Sequence, residues 1–387
     1  MNKHSYQIVI LGSVDQRFSD LKKALVGRAL DLGLPVAELS FLMEKDFSRY
    51  DRKKPVVAVY FGNSNPSNSL FLEKLITDSA VIIPVVSSKR FVEAELPASL
   101  WHVNALDLSA GGGNLPRFAS LIYEAFRLLR KERGIFISYR RKGSQPLANR
   151  LYEELDKRGF DVFIDIRSVP PAADFQAELW HRMSDVDVVV LIDTPGFREG
   201  RWTKAELAQA NLLGIQTLHL LWPGQLENAN FAFSRFMKLE NSDFTGPSPG
   251  RGATLKDGVL ASICDRAEEL RAQAIASRYA HLVDNFCDAA RDLSMSPVVQ
   301  PERWISVPIK ETSLSVVPAV GRPTSDRINE IFKSVVKING SGVIWVIYDS
   351  RGLHELWLEH LRWLDQHLPI RNLRMTEVPA ALKALTK

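Results

Sequence analysis

The chain has 387 residues, enough for two or three globular domains of roughly 100–200 residues each, so a lone small module is excluded. Hydrophobic residues make up 45% and charged residues 24%, a balance that excludes a disordered or collagen-like chain. The 49 Lys and Arg against 45 Asp and Glu leave only +4, spread along the whole length, so charge points to no nucleic-acid partner.

Cys264 and Cys287 are too few for a disulfide framework and lack metal-ligand spacing, so no metal and a reduced, cytosolic setting are expected. The polar N-terminus runs straight into Ile8–Leu11 without the basic, apolar and small-residue regions of a signal peptide. No apolar run approaches the ~20 residues that span a bilayer. A cytoplasmic protein with no membrane contact is expected.

In chain order, Ile8–Leu11 reads as a strand, Phe18–Leu30 as an amphipathic helix, Val56–Tyr60 as a strand, Leu70–Ile76 as a helix and Ala80–Val86 as a strand. Near-continuous Val/Ile runs between amphipathic helices indicate parallel strands covered on both faces. Residues 1–114 are therefore read as an N-terminal α/β domain, closed by a flexible turn at Ser109–Asn114. Residues 115–132 read as a connecting helix, with Pro116 in its first turn and Arg127, Arg130, Lys131 and Arg133 around its end, where the helix dipole favours cations.

A second α/β unit is expected over 133–226. Strands Ile135–Ile137, Val162–Ile164, Val186–Ile192 and Thr217–Leu221 alternate with helices at about Pro146–Arg158, Phe175–Met183 and Thr203–Leu213. That alternation gives a doubly wound, flavodoxin-like parallel sheet. Residues 227–258, rich in Asn, Ser, Pro and Gly, read as an irregular linker. Over 259–387 a helix from Val259 to about Leu293, a strand at Val343–Ile347 and a helix at Leu353–Leu364 suggest a C-terminal helical and α/β domain.

Several apparent motifs fail on chemistry. Asp193-Thr194-Pro195-Gly196 looks like a GTPase switch, but no phosphate-cradling G-x-x-x-x-G-K-[ST] precedes it. His354 and His360 are six apart, whereas two ligands on one helical face need a spacing of three or four. Gly111–Gly113 lacks the dinucleotide spacing, and no serine sits in G-x-S-x-G.

What remains is the middle unit, whose polar residues follow its strands, at the end where open parallel sheets bind ligands. Ser138, Tyr139, Arg140 and Arg141 follow the first strand, Asp165 the second and Asp193 the third. Trp202 and Glu206 are four apart at a helix start, which sets an aromatic plate beside a carboxylate on one face. Such a pair suits something flat and cationic; a hydrophobic staple beside a solvated glutamate is the plainer alternative.

These residues resemble a Toll/interleukin-1 receptor (TIR) domain over Arg133–Gly224, specifically its NAD-cleaving enzymatic branch. Phe136-Ile137-Ser138-Tyr139-Arg140-Arg141 is similar to the first-strand box, and Phe160–Asp165 followed by Ser168-Val169-Pro170-Pro171 is similar to the second strand and BB loop. Trp202-Thr203-Lys204-Ala205-Glu206-Leu207 resembles the W-x-x-x-E-L segment that carries the catalytic glutamate. Ala172-Ala173 stand where the family usually has Gly after its prolines. Residues 1–108 resemble a degenerate TIR-like copy through Val81–Ser87, Phe91 and Glu95, without the Trp/Glu pair. The order of segments resembles bacterial multidomain TIR proteins of antiphage defence.

The resemblance implies cleavage of the nicotinamide–ribose bond of NAD⁺, which is then the substrate, giving ADP-ribose or a cyclic product. It implies Glu206 as the catalytic carboxylate, with Trp202 stacking on the substrate, Arg140 and Arg141 facing the pyrophosphate, and Tyr139 and Asp165 in supporting contacts. It further implies activation by self-association, through head-to-tail contacts that build filaments when they do not close. The flanking domains would answer to a small-molecule or protein trigger. The competing expectation is a non-catalytic TIR scaffold that recruits another TIR protein.

Overall fold

The computed structural model describes residues 6–107, 115–164, 175–197, 208, 210–227, 234–246, 252–309, 312–339 and 342–386. The chain divides into two compact units, Met1–Leu129 and Arg130–Lys387. Among the described residues, no helix is long and apolar enough to cross a membrane.

The first unit is built from β1 (Tyr6–Gly12), α1 (Gln16–Asp31), β2 (Leu39–Leu42), β3 (Val56–Phe61), α2 (Leu70–Thr77), β4 (Val81–Val86), the short α3 (Val92–Glu95), β5 (Leu106–Asp107) and α4 (Leu115–Ala125). All strand pairs are parallel, in the order β2-β1-β3-β4-β5. Ile8, Val9 and Val57 are fully buried, as a sheet covered on both faces requires. The turn expected at Ser109–Asn114 lies outside the described residues. Helix α4 stops at Ala125, short of the expected end, because Arg127 turns into the left-handed region (φ 62°) and the Leu128 N–H bonds back to the Tyr123 carbonyl at 2.8 Å.

The second unit opens with β6 (Gly134–Tyr139), α5 (Arg141–Lys157), β7 (Asp161–Ile164), α6 (Phe175–Met183), β8 (Val186–Asp193), β9 (Gln216–Leu221) and β10 (Ser234–Lys238). These strands form a second parallel sheet, ordered β10-β9-β8-β6-β7, and the fold is the expected flavodoxin-like α/β class. Strand β10 lies inside the stretch read as a linker and extends the sheet by pairing Ser234 with Thr217 through to Lys238 with Leu221. As an edge strand it is half exposed and polar, which is why composition hid it. Leu239, Phe244 and Leu255 follow it into the same core.

Helix α7 (Asp257–Arg291) runs for 35 residues. Leu260, Ile263, Cys264, Ala267 and Leu270 recur at helical spacing and join α5 residues Leu147, Leu151 and Leu155 against Ile135, Val188, Val190 and Leu218 of the sheet. Each fully buried Leu or Ile there contributes about 1.5–3 kcal/mol. The other face of the sheet packs Leu179 and Met183 of α6, with Ala210 and Leu213, on Phe136, Val189 and Leu191.

A third sheet follows, from β11 (Val298–Val299), β12 (Ile305–Ile309), β13 (Thr312–Ala319), α8 (Ser325–Asn339), β14 (Val343–Tyr348), α9 (Glu355–His367), β15 (Arg371–Arg374) and α10 (Val378–Thr386). Its order is β11-β12-β13-β14-β15, antiparallel up to β13 and parallel from there on. The C-terminal α/β expectation is thus enlarged by three strands and a helix between residues 298 and 339.

Candidate functional site

The middle sheet's carboxyl rim is where β6, β8 and β9 end, at Tyr139, Asp193 and Leu221. Alternation along each strand sorts the side chains by face. Ile137 and Tyr139 belong to the α5/α7 face, where Tyr139 is half-buried against the core. Phe136 belongs to the α6 face, which by alternation Ser138 shares, and Ser138 pairs in register with Leu191 of β8. Asp193, two residues on, therefore shares a face with Ser138 and not with Tyr139.

On that face lies a pair that spacing does not reveal. The Asp193 Oδ2 sits 2.8 Å from His219 Nε2, and neither side chain has any solvent exposure. In the register Asp193 lies beside Leu221, so its carboxylate reaches the diagonal neighbour, His219, on β9. The His219 ring packs 4.9 Å from Phe236 of β10. The signal that would have found it is a histidine inside the otherwise apolar Thr217–Leu221 run, since a buried imidazole needs a polar partner.

Arg140 is exposed and donates from Nη1 to the Pro195 carbonyl at 2.8 Å, laying its guanidinium over the loop after β8. Gly196 permits this approach: it adopts φ +79°, and a Cβ there would come within 2.1 Å of Arg140 Nη1. Among the described residues this uses one of its five donors, and the guanidinium stays at the rim. The Arg140 carbonyl accepts from Ser144 Oγ at 2.9 Å in the first turn of α5, which starts at Arg141, a turn before the expected Pro146.

The structure thus brings Arg140, Asp193 and the Pro195-Gly196 turn together. Tyr139 is adjacent in sequence but turned to the other face, and Arg141 is placed only as the first residue of α5. Asp165, Trp202 and Glu206 lie outside the described residues, as does the proline-rich loop at 168–173. The chain is described again at residue 208 and from Ala210, where a helical turn ends in Gly214 (φ +66°). That end is capped by Gly214 N–H to the Asn211 carbonyl (3.1 Å) and Ile215 N–H to the Ala210 carbonyl (2.9 Å).

Buried charge ties this sheet to α7. Asp187, fully buried at the start of β8, takes Arg130 Nε at 2.9 Å and Arg271 Nε at 3.3 Å. Arg133 pairs with the buried Glu268 and stacks its guanidinium 4.3 Å from the Phe160 ring. On α6, His181 accepts from Arg322 Nη1 at 2.8 Å and packs 4.5 Å from His354. Burial, with Arg322 and His354 adding to it, pushes the His181 imidazole down to about 4. Among the described residues no cluster of three His, Cys, Asp or Glu could hold a metal ion.

No curated protein matches the chain. Among solved structures, the chain is similar to the TIR domains of the activated Roq1 resistosome that directly recognizes the pathogen effector XopQ. That likeness is at 12% identity, with 38% of this chain and 84% of that one covered and a TM-score of 0.23. A conserved domain protein from Vibrio cholerae O1 is similar at 12% identity, 73% and 85% coverage and a TM-score of 0.20. A family-level match is more specific: the TIR domain family matches residues 135–244, a span that takes in β6 through β10 and the Trp202–Leu207 segment. Residues 135–244 of this chain are accordingly a TIR domain.

Proposed function

We propose that this TIR domain cleaves the nicotinamide–ribose bond of NAD⁺, releasing nicotinamide with ADP-ribose or a cyclic ADP-ribose. The observation that carries the reading is Trp202-Thr203-Lys204-Ala205-Glu206-Leu207 inside the family match at 135–244. One carboxylate is enough for this reaction. Ordinary glycosidases need a second, acidic carboxyl to protonate the leaving oxygen, whereas nicotinamide leaves a cationic pyridinium as a neutral molecule.

In this reading ionised Glu206 stabilises the oxocarbenium charge that develops on the ribose, and Trp202 stacks on the substrate. Arg140, which already lies on the rim against Pro195, is available with Arg141 for the pyrophosphate, where paired donors on planar guanidinium groups suit phosphate oxygens. Asp165 and Tyr139 take supporting contacts. Asp193 and His219, fully buried beneath the rim, hold β8 and β9 together and do not reach substrate. We further place the activity in bacterial antiphage immunity, in the cytoplasm, switched on by self-association of TIR domains with the flanking α/β regions controlling it.

Concentrated full-length protein is incubated with NAD⁺, with and without a crowding agent, and nicotinamide, ADP-ribose and cyclic products are separated by chromatography beside Glu206→Gln. Nicotinamide release that disappears in the variant supports the enzyme. Absence of release once light scattering confirms assembly overturns it in favour of a scaffold.

A further inference from the structure

A cavity of about 250 Å³ lies within the second unit, away from the carboxyl rim of the TIR sheet. Its walls come from three places: Asn211–Gly214 at the capped helix end of the TIR domain, Ser277, Arg278 and His281 on α7, and the loops that leave β13 and β14 at Gly321, Asp349 and Arg351. The last position is the carboxyl end of two parallel neighbours, where open α/β sheets bind small molecules. The volume lies just under the ~300–1,000 Å³ of drug-sized pockets, so it suits a sugar phosphate rather than a dinucleotide.

Its electrostatics are unbalanced. Arg278 donates to the Val186 carbonyl at 3.1 Å and the Ser184 carbonyl at 3.0 Å, and it reaches Asp187 only at 3.9 Å. That carboxylate is already shared by Arg130 and Arg271, while the nearby Asp185 takes Arg130 and, at 3.9 Å, Arg322. Four guanidinium groups thus share two buried or half-buried carboxylates, with Asp349 adding a longer-range attraction to Arg278. Burial, followed by repulsion from Arg130, lowers the Arg278 pKa to about 10. On the cavity's other side, Arg351 is held by Asp349. An under-compensated guanidinium at a cavity wall is costly, and an anion placed there offsets that cost. The helix end at Gly214 does not oppose an anion with open carbonyls at Ala210 and Asn211, because both are capped.

We propose that this cavity binds a small metabolite bearing a phosphate or carboxylate on a polar, sugar-sized body, with the anionic group between Arg278 and Arg351 and the hydroxyls on His281 and Asp349. This goes beyond the NAD⁺ reading and does not depend on it.

The test reads occupancy directly. Ser277 is exposed at the cavity, whereas the native Cys264 and Cys287 are buried, so a Ser277→Cys chain in a Glu206→Gln background offers one reactive thiol to a bulky maleimide. Inorganic phosphate, ribose 5-phosphate and malonate are titrated against labelling, with neutral ribose as the control. Saturable, several-fold slowing by the anions and none by ribose is expected, and the anion that protects at the lowest concentration distinguishes phosphate from carboxylate. Protection is expected to vanish in Arg351→Glu and in Leu212→Trp, which fills the cavity from a half-exposed position that tolerates a larger side chain. No protection by any anion, or protection undiminished in both variants, overturns the proposal.

Discussion

The N-terminal and middle sheets share one topology: β2-β1-β3-β4-β5 in the first corresponds, strand for strand, to β7-β6-β8-β9-β10 in the second. They finish their strands differently. The third strand in sequence ends in Tyr60-Phe61-Gly62 in the N-terminal sheet, with Phe61 fully buried as core, and in Ile192-Asp193-Thr194 in the middle sheet, with Asp193 buried as a carboxylate against His219. At the N-terminal rim Glu95 accepts from the Ser87 N–H at 2.8 Å and is so close to Gly62 that a Cβ there would touch it. That carboxylate serves its own backbone. The covering helices differ as well: Tyr123 of α4 bonds to the Leu25 carbonyl of α1 by a neutral hydrogen bond, whereas α7 meets the middle sheet through buried Arg–Asp and Arg–Glu pairs. One topology therefore carries two chemistries, and function has to be argued from the side chains at the rim.

The largest expected effect tests that contrast in catalysis. Glu206→Gln is expected to lower NAD⁺ turnover by about 10²–10³-fold, as loss of one transition-state stabiliser does, while Glu95→Gln leaves it unchanged; nicotinamide release measures both. Equal losses in the two variants would break the distinction between the rims.

Next in size is the buried charge. Asp187→Asn leaves Arg130 and Arg271 without their shared carboxylate and is expected to cost about 3–5 kcal/mol, read from urea unfolding of the second unit.

The pH dependence is of similar rank. His181 has a pKa of about 4 when folded and about 6.5 when unfolded, so between those values the unfolded chain holds the extra proton and acid favours unfolding. The stability from the neutral ring is complete above pH 6.5 and is lost as pH falls through 4, about 3 kcal/mol in all. Denaturant melts from pH 7.5 to 4 in wild type and His181→Gln test it, the variant being expected to lose most of that slope.

The smallest effect sharpens the rim itself. Gly196→Ala places a Cβ on Arg140 Nη1 at a left-handed φ, and is expected to cost about 1–2 kcal/mol and to raise the KM for NAD⁺ more than it lowers kcat. A loss of stability with KM unchanged would remove Arg140 from substrate binding.

Most of the inner strands and the TIR match at residues 135–244 were legible in the residues alone. Val and Ile runs such as Val56–Tyr60 and Val186–Ile192 can only be satisfied by burial on both faces, and the order of boxes from Phe136 to Leu207 is local in the chain. Composition did not determine β2, β5, β10, β11, β12, β13 or β15, because short, edge or mixed strands are specified by their neighbours' open hydrogen bonds more than by their own composition. Nor did it determine that α7 closes one face of the TIR sheet, that Asp193 finds His219, or that Arg278 and Arg351 line one cavity. Those contacts join residues 26 apart in Asp193–His219, 73 apart for Arg278 and Arg351 and 84 apart in Asp187–Arg271, and only folding sets such distant groups within reach of each other.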